Sequence, residues 1–215
     1  NLYSTGGTHQ FIQSLGLEVV SVEELTGFAS ILDGRVKTLH PKVFGGILAR
    51  RDEGHLAQLE AQEIPEIDLV IVDLYPFEKT VQSTSNESEI IEKIDVGGIS
   101  LVRAAAKNFK DVLIVPSQSD YSFLHQLLLS KEGYSDLEDR QYLASRAFQV
   151  SSHYDTQIFN YFNREEKIKS FAESAPLDRT LRYGENPHQS AAFYGQLDNL
   201  VVQLQGKELS FNNLV

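Results

Sequence analysis

The chain has 215 residues, of which 30 are acidic and 19 basic, for a formal net charge of -11. That length is ample for one domain with a sizeable core, or for one domain and part of a second, and the acidic balance argues against a general nucleic-acid or membrane-surface protein. Without cysteine, disulfides and thiolate metal sites are excluded; a cytoplasmic location fits, and no apolar run approaches membrane-spanning length.

Asn1-Leu2-Tyr3 reads as the end of a strand, and Ser4-Thr5-Gly6-Gly7-Thr8 as the turn from it into a helix over 8–15. Such a turn sets backbone N–H groups and hydroxyls at a helix N terminus, where an anion is stabilised. Any tight strand-to-helix turn can also need Gly-Gly, so on this motif alone the two readings stand level. A short apolar strand is expected over 17–22. After the turn signal Asp33-Gly34 comes Arg35-Val36-Lys37-Thr38-Leu39-His40-Pro41, free of acidic residues in an acidic chain. Arg offers a planar fork for phosphate, Lys a point charge and Thr a hydroxyl. An isolated Arg-x-Lys is more simply a solvated basic loop, but Pro41 and Gly45-Gly46 predict a shaped one. His40 reads as a capping or packing histidine ahead of an acid or base, and Arg50 and Arg51 as surface charge.

A charged helix over 53–62 precedes the clearest strand, 67–74 (IDLVIVDL), rich in β-branched residues. Asp73-Leu74-Tyr75-Pro76-Phe77 ends it. In open parallel sheets ligands bind at the carboxyl ends of strands, so Tyr75 either meets a substrate there or packs at the sheet edge. A short helix over 88–93 follows. Asp95-Val96-Gly97-Gly98 then opens an Ala-rich helix over 99–107, with Asp95 as its cap or as a general base. Lys107, near the end of that helix, is an ordinary electrostatic choice there. A third strand over 111–116 and helices over 119–129 and 137–162 complete the alternation, which implies a mainly parallel sheet with helices on both faces. The stretch 163–179 reads as a connection, and 191–194 and 200–204 as short strands, too few to form a domain alone. A strand-like start without Met and an end at Phe211-Asn212-Asn213-Leu214-Val215 without a polar tail are what a piece of a longer chain is expected to show.

STGGT, GRVKTLHPKV, DLYPF, IDVGG and RAAAKN, in this order, closely resemble the IMP cyclohydrolase domain of bifunctional purine-biosynthesis enzymes, which also carry an AICAR transformylase domain. Leu181-Arg182-Tyr183-Gly184-Glu185-Asn186-Pro187-His188-Gln189 resembles the opening motif of the second domain, and Phe211-Asn212-Asn213-Leu214 its next landmark. The resemblance spans essentially the whole chain. It implies a methylglyoxal-synthase-like (MGS-like) α/β fold over 1–174, lacking the family's N-terminal strand and an early Ser/Lys phosphate contact. Residues 175–215 would then be a linker and the truncated start of a second, cytidine-deaminase-like α/β domain.

The activity implied is closure of formyl-AICAR to IMP with loss of water, in an intertwined homodimer. By resemblance, Lys37, Tyr75, Asp95 and Lys107 lie near the ring-closing atoms. Lys37 and Tyr75 are assigned to positioning and polarisation, Asp95 and Lys107 to proton transfer and charge stabilisation. Ser4, Thr5, Gly6, Gly7, Thr8, Arg35 and Thr38 form the expected phosphate cradle, with Gly97, Gly98 and Asn108 completing the substrate site. Arg182, Tyr183 and Asn213 resemble residues that hold AICAR. Ring closure is expected to need no metal and no organic cofactor. The transformylase uses formyl-tetrahydrofolate as co-substrate, and the family's catalytic Lys-His pair lies downstream of these residues, so transformylation is not expected of them alone. No nucleic-acid or membrane partner is implied.

Two positions depart from the family pattern: Asp73 stands where relatives often have Asn, and Phe44 where many have His. The alternative reading is an MGS-like regulatory module that binds a nucleotide or phosphate without chemistry. Such a module is not expected to keep the KTLH, LYPF and AAAKN motifs together. Methylglyoxal synthase itself relies on an acidic pattern not found here.

Overall fold

The computed structural model describes residues 1–195, 197–199 and 201–214, apart from the side chains of Asp33 and Asn199. It resolves into two units, Asn1–Ile158 and Phe159–Val215.

In the first unit β1 (Tyr3–Ser4), α1 (Gly6–Ser14), β2 (Val20–Ser21) and α2 (Val22–Thr26) lead to a 3-10 turn at Leu32–Gly34. Then come α3 (Pro41–Leu48), α4 (Glu53–Ala61), β3 (Leu69–Ile71), α5 (Phe77–Ser83), α6 (Glu87–Ile91), α7 (Gly97–Lys107) and β4 (Leu113–Val115). After a second 3-10 turn, α8 (Tyr121–Ser130) and α9 (Leu137–Phe162) follow, the last running on into the second unit. β1 pairs with β2 and β3 with β4, both parallel, with Val70 opposite Ile114. Parallel neighbours need helical crossovers, and the α/β expectation is met.

β4 shows why its run is continuously apolar. Val112 and Ile114 enter one cluster with Ile47, Val70, Val102, Ala105 and Ala147, while Leu113 and Val115 enter another with Leu124, Leu127 and Leu143. Successive strand side chains point to opposite faces, so a strand covered on both faces needs apolar residues at every position.

Several local expectations change. α1 starts at Gly6, two residues before Thr8. Val22 leaves the expected strand because Ser21 and Glu24 form a capping box that starts α2. The expected loop after His40 is a helix: His40 Nδ1 accepts the Lys42 N–H at 3.1 Å, and Pro41 takes the first helical position, where its missing N–H costs nothing. Gly46 serves packing there, since a Cβ on it would stand 2.4 Å from the Pro65 carbonyl oxygen. α5 occupies a stretch for which no element was expected. Arg51 is not surface charge: its guanidinium donates to the Ala49 and Ile67 carbonyls at 2.9 and 3.0 Å and pairs with Glu66 and Asp68.

In the second unit β5 (Leu177–Leu181) and β6 (Ala191–Tyr194) form an antiparallel pair. β5 begins inside the stretch read as a connection. Residues 201–204 carry no strand, and Leu200 lies outside the described residues.

Candidate active site

α3 and α7 lie side by side and point the same way. At one end a Cβ on Gly97 would stand 2.9 Å from Thr38 Oγ1, just before the His40 cap of α3. At the other, the Asn108 amide donates to the Ile47 and Ala49 carbonyls, both at 2.9 Å. Two helix N termini, with their positive dipole ends, therefore share one end of the unit. That end is also where the chain leaves β3. The Tyr75 N–H donates to the Asp95 carboxyl, and Asp95 Oδ1 accepts the Gly98 N–H at 2.6 Å.

Asp95 thus caps α7 through its side chain. A Cβ on Gly98 would stand 2.5 Å from Asp95 Oδ2, so the carboxyl sits where it does only because residue 98 has no side chain. Burial pushes the Asp95 carboxyl above its ordinary 3.8, and the N–H groups of Gly98 and Tyr75 offset part of that rise. The Tyr75 side chain is 55% exposed, and the Lys93 ammonium stands 5.6 Å from its ring centroid, within cation–π range. Arg35 pairs with Glu92 in solvent. Lys37 folds back, its Cε 2.7 Å from where a Gly34 Cβ would be. Asp73 spends an oxygen on the Gln118 N–H at 3.0 Å, and Phe44 packs against the main core.

Thr38, Tyr75, Asp95, Gly97 and Gly98 are therefore brought together, with Arg35 and Lys37 on the adjoining turn. The Ser4–Thr8 turn stands on the β1–β2 pair. Thr5 caps α1 without a side-chain hydrogen bond, Gly6 has φ +51, and, apart from the flanking residues and the helix's own backbone, no described atom lies within 4 Å of a Cβ built on Gly6 or Gly7. Among the described residues no hydrogen bond joins this turn to the α7 end. Lys107 and Asn108 stand at the opposite end of α7, about 14 Å from Gly98 at 1.5 Å per residue. Lys107 is exposed and Asn108 buried, with both N–H donors of its amide spent inside the protein.

In the second unit the Arg182 guanidinium lies 4.9 Å from the Tyr183 ring centroid and donates to its hydroxyl at 3.3 Å. The Phe211 N–H returns to the Tyr183 carbonyl at 3.0 Å. Ser210 Oγ donates to Asn213 Oδ1 at 2.9 Å. The Tyr183 phenol is held below its ordinary value by hydrogen bonds with Ser210 and then Arg182. Arg182, Tyr183 and Asn213 thus converge, and Ser210 joins them unannounced, because an isolated serine carries no sequence signal. Lys93, whose ammonium stands by the Tyr75 ring, likewise carries no sequence signal.

Parallel strand pairs joined through helices, with a glycine turn after the first strand, define an α/β domain. Residues 1–100 match the family model of the MGS-like domain. Residues 105–215, more than half of the chain, match the AICARFT/IMPCHase bienzyme model. The chain belongs to the AICARFT/IMPCHase bienzyme family. It is 60% identical over 213 residues to the bifunctional purine biosynthesis protein PurH of Bacteroides thetaiotaomicron, covering 99% of this chain and 42% of that protein. It is 47% identical over 222 residues to PurH of Bradyrhizobium diazoefficiens, again covering 99% and 42%. The chain therefore spans well under half the length of these relatives. A crystal structure of ForH superposes with a TM-score of 0.63 at 35% identity, covering 75% of this chain and 83% of that one.

Proposed function

We propose that this chain carries the IMP cyclohydrolase activity of a bifunctional enzyme of purine biosynthesis, closing formyl-AICAR to IMP with loss of water. The observation that carries this reading is the meeting of Tyr75, Asp95, Thr38 and two helix N termini at one end of the unit. In a protein of the relatives' length, the second domain would transfer a formyl group from formyl-tetrahydrofolate to AICAR, with Arg182, Tyr183 and Asn213 holding the nucleotide. The domain boundary is placed at 174/175, the protein in the cytoplasm, and the working form as a homodimer.

The carboxamide nitrogen attacks the formyl carbon, and one C–N bond forms. The formyl oxygen becomes a hydroxyl and departs as water, taking one proton from the carboxamide and one from the formamide nitrogen. An amide is a poor nucleophile, but the reacting groups share one molecule, so holding the productive conformer supplies much of the rate. Lys37 and Tyr75 position and polarise. Asp95, with a carboxyl held above its ordinary range by burial, suits proton transfer nearer neutral pH. Lys107 stabilises the developing charge. The glycine turn, Arg35 and Thr38 receive the phosphate, and Asn108 fixes the far end of α7, where Lys107 stands.

The test is to add formyl-AICAR to a protein of the relatives' full length and follow the ultraviolet change as IMP forms, with Lys107→Ala alongside. Turnover by the parent and its loss in the variant is the expected result. Nucleotide binding without turnover by the parent would replace the enzyme by a binding module.

A further inference from the structure

We propose that Tyr154, on α9 and 59 residues from Asp95, is a positioning residue of the ring-closing site. Its hydroxyl fixes the backbone on both sides of Ile94 and thereby sets the Asp95 carboxyl and the Lys93 ammonium. The inference rests on the cyclohydrolase reading above.

The Asp95 N–H donates to the Tyr154 hydroxyl oxygen at 2.9 Å, and the hydroxyl donates to the Lys93 carbonyl at 2.5 Å. A phenol has one O–H to give, and here it is given to the segment that carries Asp95. Lys93 to Val96, between α6 and α7, belongs to no strand and no helix, so it has no ladder to hold it. The ring beneath is anchored. Tyr154 is 8% exposed and meets Phe77 edge-on at 6.2 Å, and Phe77 is 1% exposed. Phe77 follows Tyr75 by two residues. One side chain thus braces both halves of the site: the exit from β3, through the ring, and the approach to α7, through the hydroxyl. Packing alone requires only the ring. The hydroxyl is the part that core filling does not explain, and burying it costs free energy unless it is bonded. Burial pushes its pKa up to about 12, so the donor to Lys93 stays protonated wherever the enzyme works.

Tyr154→Phe keeps the ring and deletes the brace. In a protein of the relatives' full length, kcat for formyl-AICAR closure is expected to fall about 10- to 100-fold, the scale of an ångström-level misplacement. KM is expected to stay within about threefold, because the phosphate contacts are untouched. Amide hydrogen exchange at Asp95 is expected to quicken. Leu143→Ala is the control. Leu143 is fully buried on the same helix, packed with Leu113, Val115, Leu124 and Leu127, and where folded that variant is expected to keep kcat within about twofold of the parent. Parental kcat in Tyr154→Phe overturns the inference alone. So does an equal loss in folded Leu143→Ala, which would reduce Tyr154 to packing. A parent that forms no IMP removes the cyclohydrolase reading and this inference with it.

Discussion

Asp95 is paid for in stability. Its carboxyl is half-buried, and its pKa is raised above 3.8 chiefly by that burial. A folded-state pKa above the unfolded one means that ionisation opposes folding: the penalty is full above the folded pKa and fades as pH falls through it. Asp95→Asn is uncharged at every pH. It is expected to melt at or above the parent temperature at pH 7, with the difference closing as pH is lowered through the raised pKa in paired thermal scans. The same variant is expected to lose at least about 100-fold in kcat, the lower range for a proton-transfer group; activity within a few fold of the parent removes Asp95 from the chemistry. Arg35 gives a second residue-scale test. It is already paired with Glu92 in solvent, so an incoming phosphate competes with a carboxylate. Glu92→Gln is expected to lower KM about two- to fivefold at low salt, the worth of an exposed pair. That gain should shrink at high salt, which initial-rate measurements at two ionic strengths would show. At this scale the sequence spoke in alternatives. Asp95 read equally as cap and base, and the geometry makes it a cap now while leaving it placed for chemistry. His40 was legible as a cap because Pro41 follows it. Glu92 and Lys93 were silent, since nothing in a charged helix end says which side chain meets a partner.

Strand and helix order was legible wherever apolar period decided it. β3, β4 and α9 fall within the stretches marked by β-branched runs or helical stripes, and α7 begins at Gly97, two residues before its expected start. The misses have one cause, signals too local to outweigh a composition rich in turn residues. α3 contains two glycines, and it forms because the cap and Pro41 start it and because Gly45 and Gly46 let it pack against Ile64, Pro65 and Ile67. Arg51 was read as surface charge because charge is the only thing its sequence position shows. In the fold it joins the end of α3 to the approach to β3 through the carbonyls of Ala49 and Ile67. Arg51→Gln leaves those oxygens without the guanidinium fork. It is expected to cost about 1–3 kcal/mol of stability, read from urea melts with an unchanged slope. Because α3 presents its N terminus at the site and Arg51 lies beyond its C terminus, kcat per folded molecule is expected to stay within about twofold of the parent. A large kcat loss without destabilisation would mean that Arg51 acts on the site directly.

Across the whole first unit, α7 sets a geometric problem. The Asp95 carboxyl caps Gly98 where α7 begins, and Lys107 ends the helix about 14 Å along the rise from Gly98. Asn108 fixes the far end under Ile47 and Ala49, so α7 cannot pivot to bring Lys107 back. Lys107 is nevertheless exposed on that far end, free to face another molecule. The family resemblance places both residues by the ring-closing atoms and makes the working form an intertwined homodimer. The two expectations agree if Lys107 of one subunit completes the site built around Asp95 of the other. The sequence already set Asp95 at the opening of this helix and Lys107 near its end; what it did not show is the buried Asn108 amide that holds the far end in place. Complementation measures it. Asp95→Asn and Lys107→Ala proteins of the relatives' full length are each expected to be nearly inactive. Unfolded together and refolded as an equal mixture, half of the dimers are mixed. In a shared-site arrangement each mixed dimer carries one site with both lesions and one with neither. About a quarter of parental activity should then return. If both residues serve the same site from one chain, every site in the mixture carries a lesion, no activity returns, and Lys107 must reach the substrate across the length of its own helix.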